Sequence, residues 1–329
     1  MTVEGPFDVA VIGAGPCGLA TGIAAKRAGI SAILIDKGCV VSSISGYPTH
    51  MTFFSTPARL EIGGVPFVIV GDKPTRREAL RYYQRLARQF ELDVRQYHAV
   101  TAAAGSVNAF EVTAVSADER EHTYAARNIV VATGYFDSPN MLGIPGESLA
   151  KVMHSYREGH VFYDTDCIVV GGGNSAVDAA IELAHWGARV TIVHFGPELD
   201  PNVKPWVRPD IDARMNAGQV ATHFGSRLAE VRPGSALIEH IETGTVTELR
   251  NDFVLAMTGY MPKGVLLRSL GVEFDPDTGK PIHNVDTMET NVPGVFIAGV
   301  LSAGNNANKV FIENGRNHGF QIVASLTAS

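Results

Sequence analysis

One pattern occurs twice in this chain and limits its fold more than any other: an apolar strand, a glycine-rich turn, then an alanine-rich helix. The first copy runs Asp8-Val9-Ala10-Val11-Ile12-Gly13-Ala14-Gly15-Pro16-Cys17-Gly18, with helical sequence from Leu19 to Arg27. The second runs Asp166-Cys167-Ile168-Val169-Val170-Gly171-Gly172-Gly173-Asn174-Ser175-Ala176, with helical sequence from Val177 to Trp186. Both strands are near-continuous apolar runs, as a parallel strand buried on both faces requires. Gly13 allows the tight turn, Gly15 lets a pyrophosphate approach the backbone, and Gly18 lets the helix lie close on the strand. Gly171, Gly173 and Ala176 repeat that spacing. Each helix then offers free N–H groups and the positive end of its dipole to a phosphate. An α/β protein of two Rossmann-like dinucleotide-binding domains is therefore expected.

The flanks distinguish the two copies. The strand Ala32-Ile33-Leu34-Ile35 ends in Asp36 and Lys37. An acid about twenty residues past the glycines bonds the hydroxyls of an adenosine ribose. The strand Val190-Thr191-Ile192-Val193 ends instead in His194-Phe195. Without an acid a free 2′-hydroxyl loses its partner, and a 2′-phosphate has room. His194, Lys204 and Arg208 are the cations that could meet it, although Lys204 and Arg208 read equally well as surface charge. FAD is expected on the first unit and NADPH on the second.

Two similar strand ends, Ile129 to Thr133-Gly134 and Asp252 to Thr258-Gly259, mark where the chain crosses between domains. Residues 1–136 and 261–329 are expected to form the FAD domain, with the NADPH domain, 137–260, inserted in it. Within the first domain, Arg76 to Phe90 has helical periodicity with a solvated arginine face. Strands are expected over Asp93–Val100, Ala109–Val115, Thr123–Ala125 and Asn128–Ala132. A last strand, Val295–Gly299, precedes a helix expected from Gly304–Lys309 to Ser325, its Asn305–Asn306 start facing an electron-rich group.

The net charge of −7 argues against nucleic acid or an anionic membrane as partner. No apolar run approaches the 18 or so residues of a membrane span. Asp8 precedes the first apolar run and no basic segment leads it, so that run is read as a core strand rather than a leader. The three cysteines, Cys17, Cys39 and Cys167, form no CxxC pair and fit a reducing cytoplasm. No metal site is expected.

Four further stretches are distinctive: Tyr47-Pro48-Thr49-His50-Met51-Thr52-Phe53-Phe54-Ser55, Leu60-Glu61-Ile62-Gly63-Gly64, Lys204-Pro205-Trp206, and Ala303-Gly304-Asn305-Asn306-Ala307-Asn308-Lys309-Val310-Phe311-Ile312-Glu313-Asn314-Gly315. From composition alone the aromatic loop lines a site or simply docks its rings on the core. With Gly13–Gly18, these stretches resemble the small flavoproteins with two dinucleotide domains, over essentially the whole chain. That group includes thioredoxin reductases, bacterial ferredoxin–NADP reductases and bacillithiol disulfide reductases, and this chain is most similar to the last. The resemblance implies an FAD- and NADPH-dependent reductase of a low-molecular-weight disulfide, with bacillithiol disulfide as its substrate, working as a homodimer or homotetramer. It implies cofactor contacts at Gly13, Gly15, Pro16, Cys17, Gly18, Asp36, Lys37, Tyr47, Thr49, Met51, Val100, Ala132, Thr133 and Gly134. Further contacts are implied at Gly171, Gly173, Asn174, Ser175, Ala176, His194, Lys204, Thr258, Gly259, Gly299, Asn306, Lys309 and Val310.

The departures are informative. Thioredoxin reductases carry CxxC just before the second turn, where this chain has His154-Ser155-Tyr156-Arg157-Glu158-Gly159-His160. They carry His-Arg-Arg where this chain has His194-Phe195-Gly196, so part of the 2′-phosphate clamp is missing. The usual Gly-Asp at the end of the flavin strand is Gly299-Val300. A flavin monooxygenase and a ferredoxin or flavodoxin reductase stay open as alternatives. Cys17 is the redox thiol that the resemblance points to, and its place at a helix N-terminus favours a thiolate; the other reading makes it a small residue filling a tight turn.

Overall fold

The computed structural model describes residues 3–262, 264–306 and 309–328. Two compact units emerge: Met1–Ser138 with Tyr260–Ser329, and Pro139–Gly259. The chain is an α/β protein with a Rossmann-like parallel sheet in each unit.

Unit 1 begins β1 (Val3–Ile12), α1 (Pro16–Arg27), β2 (Ala32–Asp36), α2 (Arg76–Gln89), β3 (Asp93–Gln96), β4 (His98–Ser106), β5 (Ala109–Ser116) and β6 (Glu121–Val131). The strand order is β3-β2-β1-β6-β5-β4. The β1, β2 and β3 pairings are parallel, with Val9 opposite Ala32 and Ile12 opposite Ile35. On the other side of β1, Asn128–Val131 of β6 runs parallel to Val9–Ile12. The N-terminal half of β6 turns antiparallel to β5 and closes a meander with β4.

Two expected strand boundaries move. The single strand expected over Asp93–Val100 is broken at Tyr97, whose φ of +59° turns the chain while its N–H donates to Gly38 O at 3.0 Å. The segments expected at 123–125 and 128–132 are one strand, β6, because pairing continues from Ala126 (opposite Phe110) to Asn128 (opposite Val9). Helix α2 starts at a reciprocal cap: Glu78 N–H donates to Thr75 Oγ1, and Thr75 N–H to Glu78 Oε2 at 2.8 Å. Its buried positions, Ala79, Tyr82, Tyr83 and Leu86, keep the helical spacing.

Unit 2 contains β7 (Val152–Met153), β8 (Asp166–Val170), α3 (Asn174–His185), β9 (Arg189–Val193), α4 (Arg208–Asn216), β10 (Val220–His223), β11 (Ser226–Val231), β12 (Ser235–His240), β13 (Val246–Arg250) and β14 (Phe253–Ala256). A parallel sheet has the order β10-β9-β8-β14-β7, and β11, β12 and β13 form an antiparallel one. The two-residue alternation of β8 separates its faces. Cys167 and Val169 join Val177, Ala180 and Leu183 of α3, whereas Ile168 and Val170 join Leu228 and Ile238 of the second sheet.

The chain returns to unit 1 through β15 (Val295–Ile297), which pairs parallel with Ile129–Val131 of β6. The long helix expected from 304–309 onward does not form. Gly304 turns the chain at φ +60°, with no room for a Cβ (2.4 Å from Thr278 O), and Asn305 N–H donates to Thr278 O. Asn305 and Asn306 are exposed in that turn rather than at a helix start. Only a helical turn, Ile312–Gly315, and then α5 (His318–Ala328) follow. Gly319 lets α5 lie against α1: a Cβ there would stand 2.6 Å from Thr21 Cα. Burial of Leu19 and Ile23 on α1 stabilises this layer by roughly 2 kcal/mol each. Among the described residues no helix is long and apolar enough to cross a membrane.

Candidate functional site

In the first turn each glycine is required for a different reason. Gly13 takes φ +114°, and a Cβ would stand 2.4 Å from Ala132 O. A Cβ on Gly18 would stand 2.0 Å from Gly13 O, so α1 sits directly on the turn. Gly15 faces open space and caps α1 without a side-chain bond, followed by Pro16. This is a backbone cradle open on the side a phosphate would take, and the residues fit a dinucleotide pyrophosphate. Asp36 lies beside it: Oδ2 accepts from Ala14 N–H at 2.7 Å and Oδ1 from Gly38 N–H at 2.8 Å. Oδ1 also accepts from Ser42 Oγ at 3.3 Å, which leaves Oδ2 with a lone pair for a ribose hydroxyl. Lys37 is ion-paired with Asp137. Ala132 is buried behind the turn, Thr133 is exposed, and Gly134 takes φ +68° with open space around it. Val100 sits half-buried on β4.

The distinctive stretches far apart in sequence meet in unit 1. Ser55 Oγ donates to Glu313 Oε1. Arg316 Nη1 donates to Ala58 O at 2.8 Å and Glu61 O at 2.6 Å. Leu60 O accepts from Tyr83 Oη at 2.9 Å. The aromatic loop is pinned by Phe53 N–H to Pro74 O and Arg76 N–H to Met51 O, both at 2.8 Å. Tyr47 lies 4.6 Å from the Phe136 ring, and burial raises its phenol pKa. Thr49 is exposed and Met51 half-buried. Lys309 is exposed with its carbonyl accepting from Asn314 Nδ2, and Val310 is half-buried. Ala307 and Asn308 of the tail lie outside the described residues.

Cys17 stands where the cradle meets this tail. A Cβ on Gly299 would come within 3.1 Å of its Sγ, and one on Gly315 within 2.9 Å. Both glycines make room for the thiol. A helix N-terminus favours a thiolate, but burial dominates and pushes this thiol up to about 12. In this seat the thiol form is favoured over the thiolate near neutral pH. Gly299, at φ +78°, donates its N–H to His318 Nδ1 at 3.1 Å. Burial, with His283 nearby, lowers the His318 pKa to about 4, so the imidazole stays neutral and accepts that bond. Sequence reasoning passed over His318 and Arg316 and gave Glu313 of the distinctive tail no role, since only the fold brings them to the loop and the cradle. Cys39 Sγ is 3.9 Å from Ser45 Oγ, and Cys167 is buried, its thiol pushed up to about 11.

The second turn repeats the cradle. Gly171 takes φ +131°, with Met257 O 2.5 Å from a Cβ position, and Gly173 caps α3 without a side-chain bond. Ala176 is buried beneath and Ser175 is exposed. Asn174 clamps the following loop: Oδ1 accepts from Lys204 N–H at 3.0 Å and Nδ2 donates to Asn202 O at 3.1 Å. Asp200 N–H donates to Gly172 O at 3.0 Å. Thr258 Oγ1 donates to Asn140 O, and Asn140 N–H to Gly259 O. His154 lies 3.4 Å from Glu147, whose carboxylate accepts from Leu142 and Gly143 N–H.

The three cations expected to meet a 2′-phosphate have partners or are buried within unit 2. His194 is 3% exposed in a slot left by Gly172 and Gly196, and burial lowers its pKa. Lys204 Nζ is 2.9 Å from Asp178 Oδ2. Arg208 Nε bonds both oxygens of Asp212, and Nη2 lies 3.6 Å from Glu198.

Two Rossmann-like units, each with a phosphate cradle, define a two-dinucleotide oxidoreductase. The chain belongs to the pyridine nucleotide-disulphide oxidoreductase family, whose model matches residues 10–299. It is 46% identical to bacilliredoxin reductase Bdr of Bacillus subtilis, over 96% of each chain. The structure of bacillithiol disulfide reductase Bdr (YpdA) from Bacillus cereus is similar at TM-score 0.95 and 44% identity, covering 98% of this chain and 99% of that one. The Staphylococcus aureus Bdr structure is similar at TM-score 0.93 and 38% identity, covering 99% of each. The fold likeness to thioredoxin reductase and flavin monooxygenase structures is weaker, at TM-score 0.77 for each of two examples.

Proposed function

We propose that this chain is an FAD-dependent reductase that passes electrons from a reduced nicotinamide dinucleotide to a low-molecular-weight disulfide, bacillithiol disulfide or one of that kind. The observation that carries the reading is the meeting of the Tyr47–Ser55 loop, the Leu60–Gly64 turn and the Lys309–Gly315 tail beside the first cradle. Those stretches underlie the resemblance to bacillithiol disulfide reductases, and the similarity to Bdr proteins supports it independently.

In this reading unit 1 holds FAD. The amides of Gly15 and the first turn of α1 bind its pyrophosphate, and Asp36 accepts from its ribose. Unit 2 holds the nicotinamide dinucleotide at Gly171–Ala176. The bound flavin supplies the two-electron chemistry between hydride donor and disulfide. In total one NAD(P)H and one proton convert one disulfide to two thiols. The chain itself offers no dithiol: its three cysteines are unpaired, and the Cys17 thiol is protonated in a glycine-lined seat. Cys17 is accordingly assigned to packing beside the flavin site. Unpaired cysteines fit a reducing, cytoplasmic setting. The same resemblance brings a homodimer or homotetramer, which the mass in solution tests.

The test is anaerobic turnover by the FAD-loaded protein. With bacillithiol disulfide, each nicotinamide oxidised should release two thiols. Consumption only with an electron-carrier protein, or only with oxygen and an organic substrate, would overturn the reading.

A further inference from the structure

The region after β9 decides which dinucleotide the second cradle accepts. A 2′-phosphate is a dianion near neutral pH and is held by unpaired cations, arginine above all. Between His194 and Arg208 the cations are His194, Lys204 and Arg208, and each is buried or engaged by carboxylates within unit 2. The position directly after His194 is Phe195, 72% exposed, an apolar ring where an arginine would serve a phosphate.

A carboxylate stands there instead. A Cβ on Gly173 would lie 3.2 Å from Asp200 Oδ2, so the carboxylate flanks the glycine at which a pyrophosphate meets the backbone. The Asp200 side chain is 46% exposed and 4.0 Å from His194 Nε2. It is held in register from both sides, by its own N–H on Gly172 O and by the Asn174 clamp on Asn202 and Lys204. The loop is thus placed by backbone bonds, and with Oδ1 facing His194 it is Oδ2, turned toward Gly173, that a ligand would meet.

We propose that Asp200 supplies, from the loop, the ribose-binding acid that the end of β9 lacks, so that this chain takes NADH in preference to NADPH. The proposal rests on reading unit 2 as the nicotinamide site. A 2′,3′-diol donates hydrogen bonds to the Asp200 carboxylate. A 2′-phosphate meets a like charge there, beside Phe195 and the exposed Glu198 carboxylate.

Equilibrium binding to the FAD-loaded full chain tests this by calorimetry with NAD⁺ and NADP⁺. NAD⁺ should bind at least about tenfold more tightly, and KM for NADH should lie below that for NADPH by a similar factor. Asp200→Ser should weaken NAD⁺ and tighten NADP⁺. Phe195→Arg should tighten NADP⁺ about tenfold with little change for NAD⁺, and the double variant should reverse the preference. Both side chains are exposed, so circular dichroism should show native folding in each variant. Tighter NADP⁺ binding by the native chain, or a ratio unmoved by Asp200→Ser, overturns the proposal and leaves the reading of unit 2 intact. Failure to bind either nucleotide overturns both.

Discussion

The two glycine turns share a spacing and differ in what surrounds them. At the first, the acid comes from the end of the next strand: Asp36 closes β2 and bonds Ala14 within the turn. At the second, β9 ends in a buried histidine, and the carboxylate arrives six residues later from a loop clamped by Asn174. Gly15 looks onto open space, whereas Gly173 looks onto Asp200. The glycines therefore specify a phosphate cradle, and the flank specifies what is attached to the phosphate. A motif scan sees the first property and misses the second, because Asp200 lies at no fixed motif spacing.

The comparison breaks most visibly at the glycines. Gly18→Val places atoms 2.0 Å from the Gly13 carbonyl, which is backbone and cannot yield. A loss above about 3 kcal/mol, or no soluble protein, is expected in denaturant unfolding. Gly15→Ala adds a methyl group to open space at an ordinary φ of −72°. Its stability should change by less than about 0.5 kcal/mol while the flavin is lost on gel filtration. If both variants unfold alike, Gly15 serves the fold and not a ligand. Next in size, Asp36→Ala should weaken flavin binding to the apoprotein by about tenfold to a hundredfold, since ribose contacts and the bond to Ala14 are lost together. An unchanged flavin affinity would remove Asp36 from the site.

Most of the architecture was legible because it depends on local chemistry. An apolar run, a glycine at a strained φ and an alanine-rich helix need no distant partner to be recognised. What escaped was set by distant contacts. The helix expected from Gly304–Lys309 starts only at Ile312, because residues 278–280 dock on the turn at Gly304 and Asn305. His194 looked like a cation, but Gly172 and Gly196 leave a slot that its ring fills. His318 drew no notice in the sequence, yet it is the acceptor that fixes Gly299. Ser55 and Glu313 are 258 residues apart in sequence and hydrogen-bonded in space.

The first cradle also carries a pH signature on both sides of Gly299. His318 is lowered to about 4 in the fold from an ordinary 6.5. The unfolded chain binds that proton first, so stability is full above about pH 6.5 and falls as pH drops toward 4. Cys17 is raised from 9.0 to about 12. The unfolded chain loses that proton first, so stability falls as pH rises from about 9 toward 12. Melting temperature against pH should show a plateau between these limits. His318→Leu should reduce the acid-side slope and Cys17→Ala the alkaline-side one; slopes that do not move would show that neither group is held as described.

The smallest effect is expected where the sequence promised the largest. Cys17→Ser replaces a protonated thiol with a hydroxyl in a seat between Gly299 and Gly315 that accepts only a small side chain. If Cys17 fills space, disulfide turnover should stay within about threefold of the native rate, with a modest loss of melting temperature from placing a polar group in that seat. Iodoacetamide at pH 7 should leave Cys17 unlabelled in the folded protein and label it after denaturation, because the reactive form is the thiolate. A turnover loss of a thousandfold with flavin content and folding intact would restore Cys17 as the redox thiol. Burial would then have to be relieved during the cycle, and the first turn would differ from the second in its chemistry as well as in its flank.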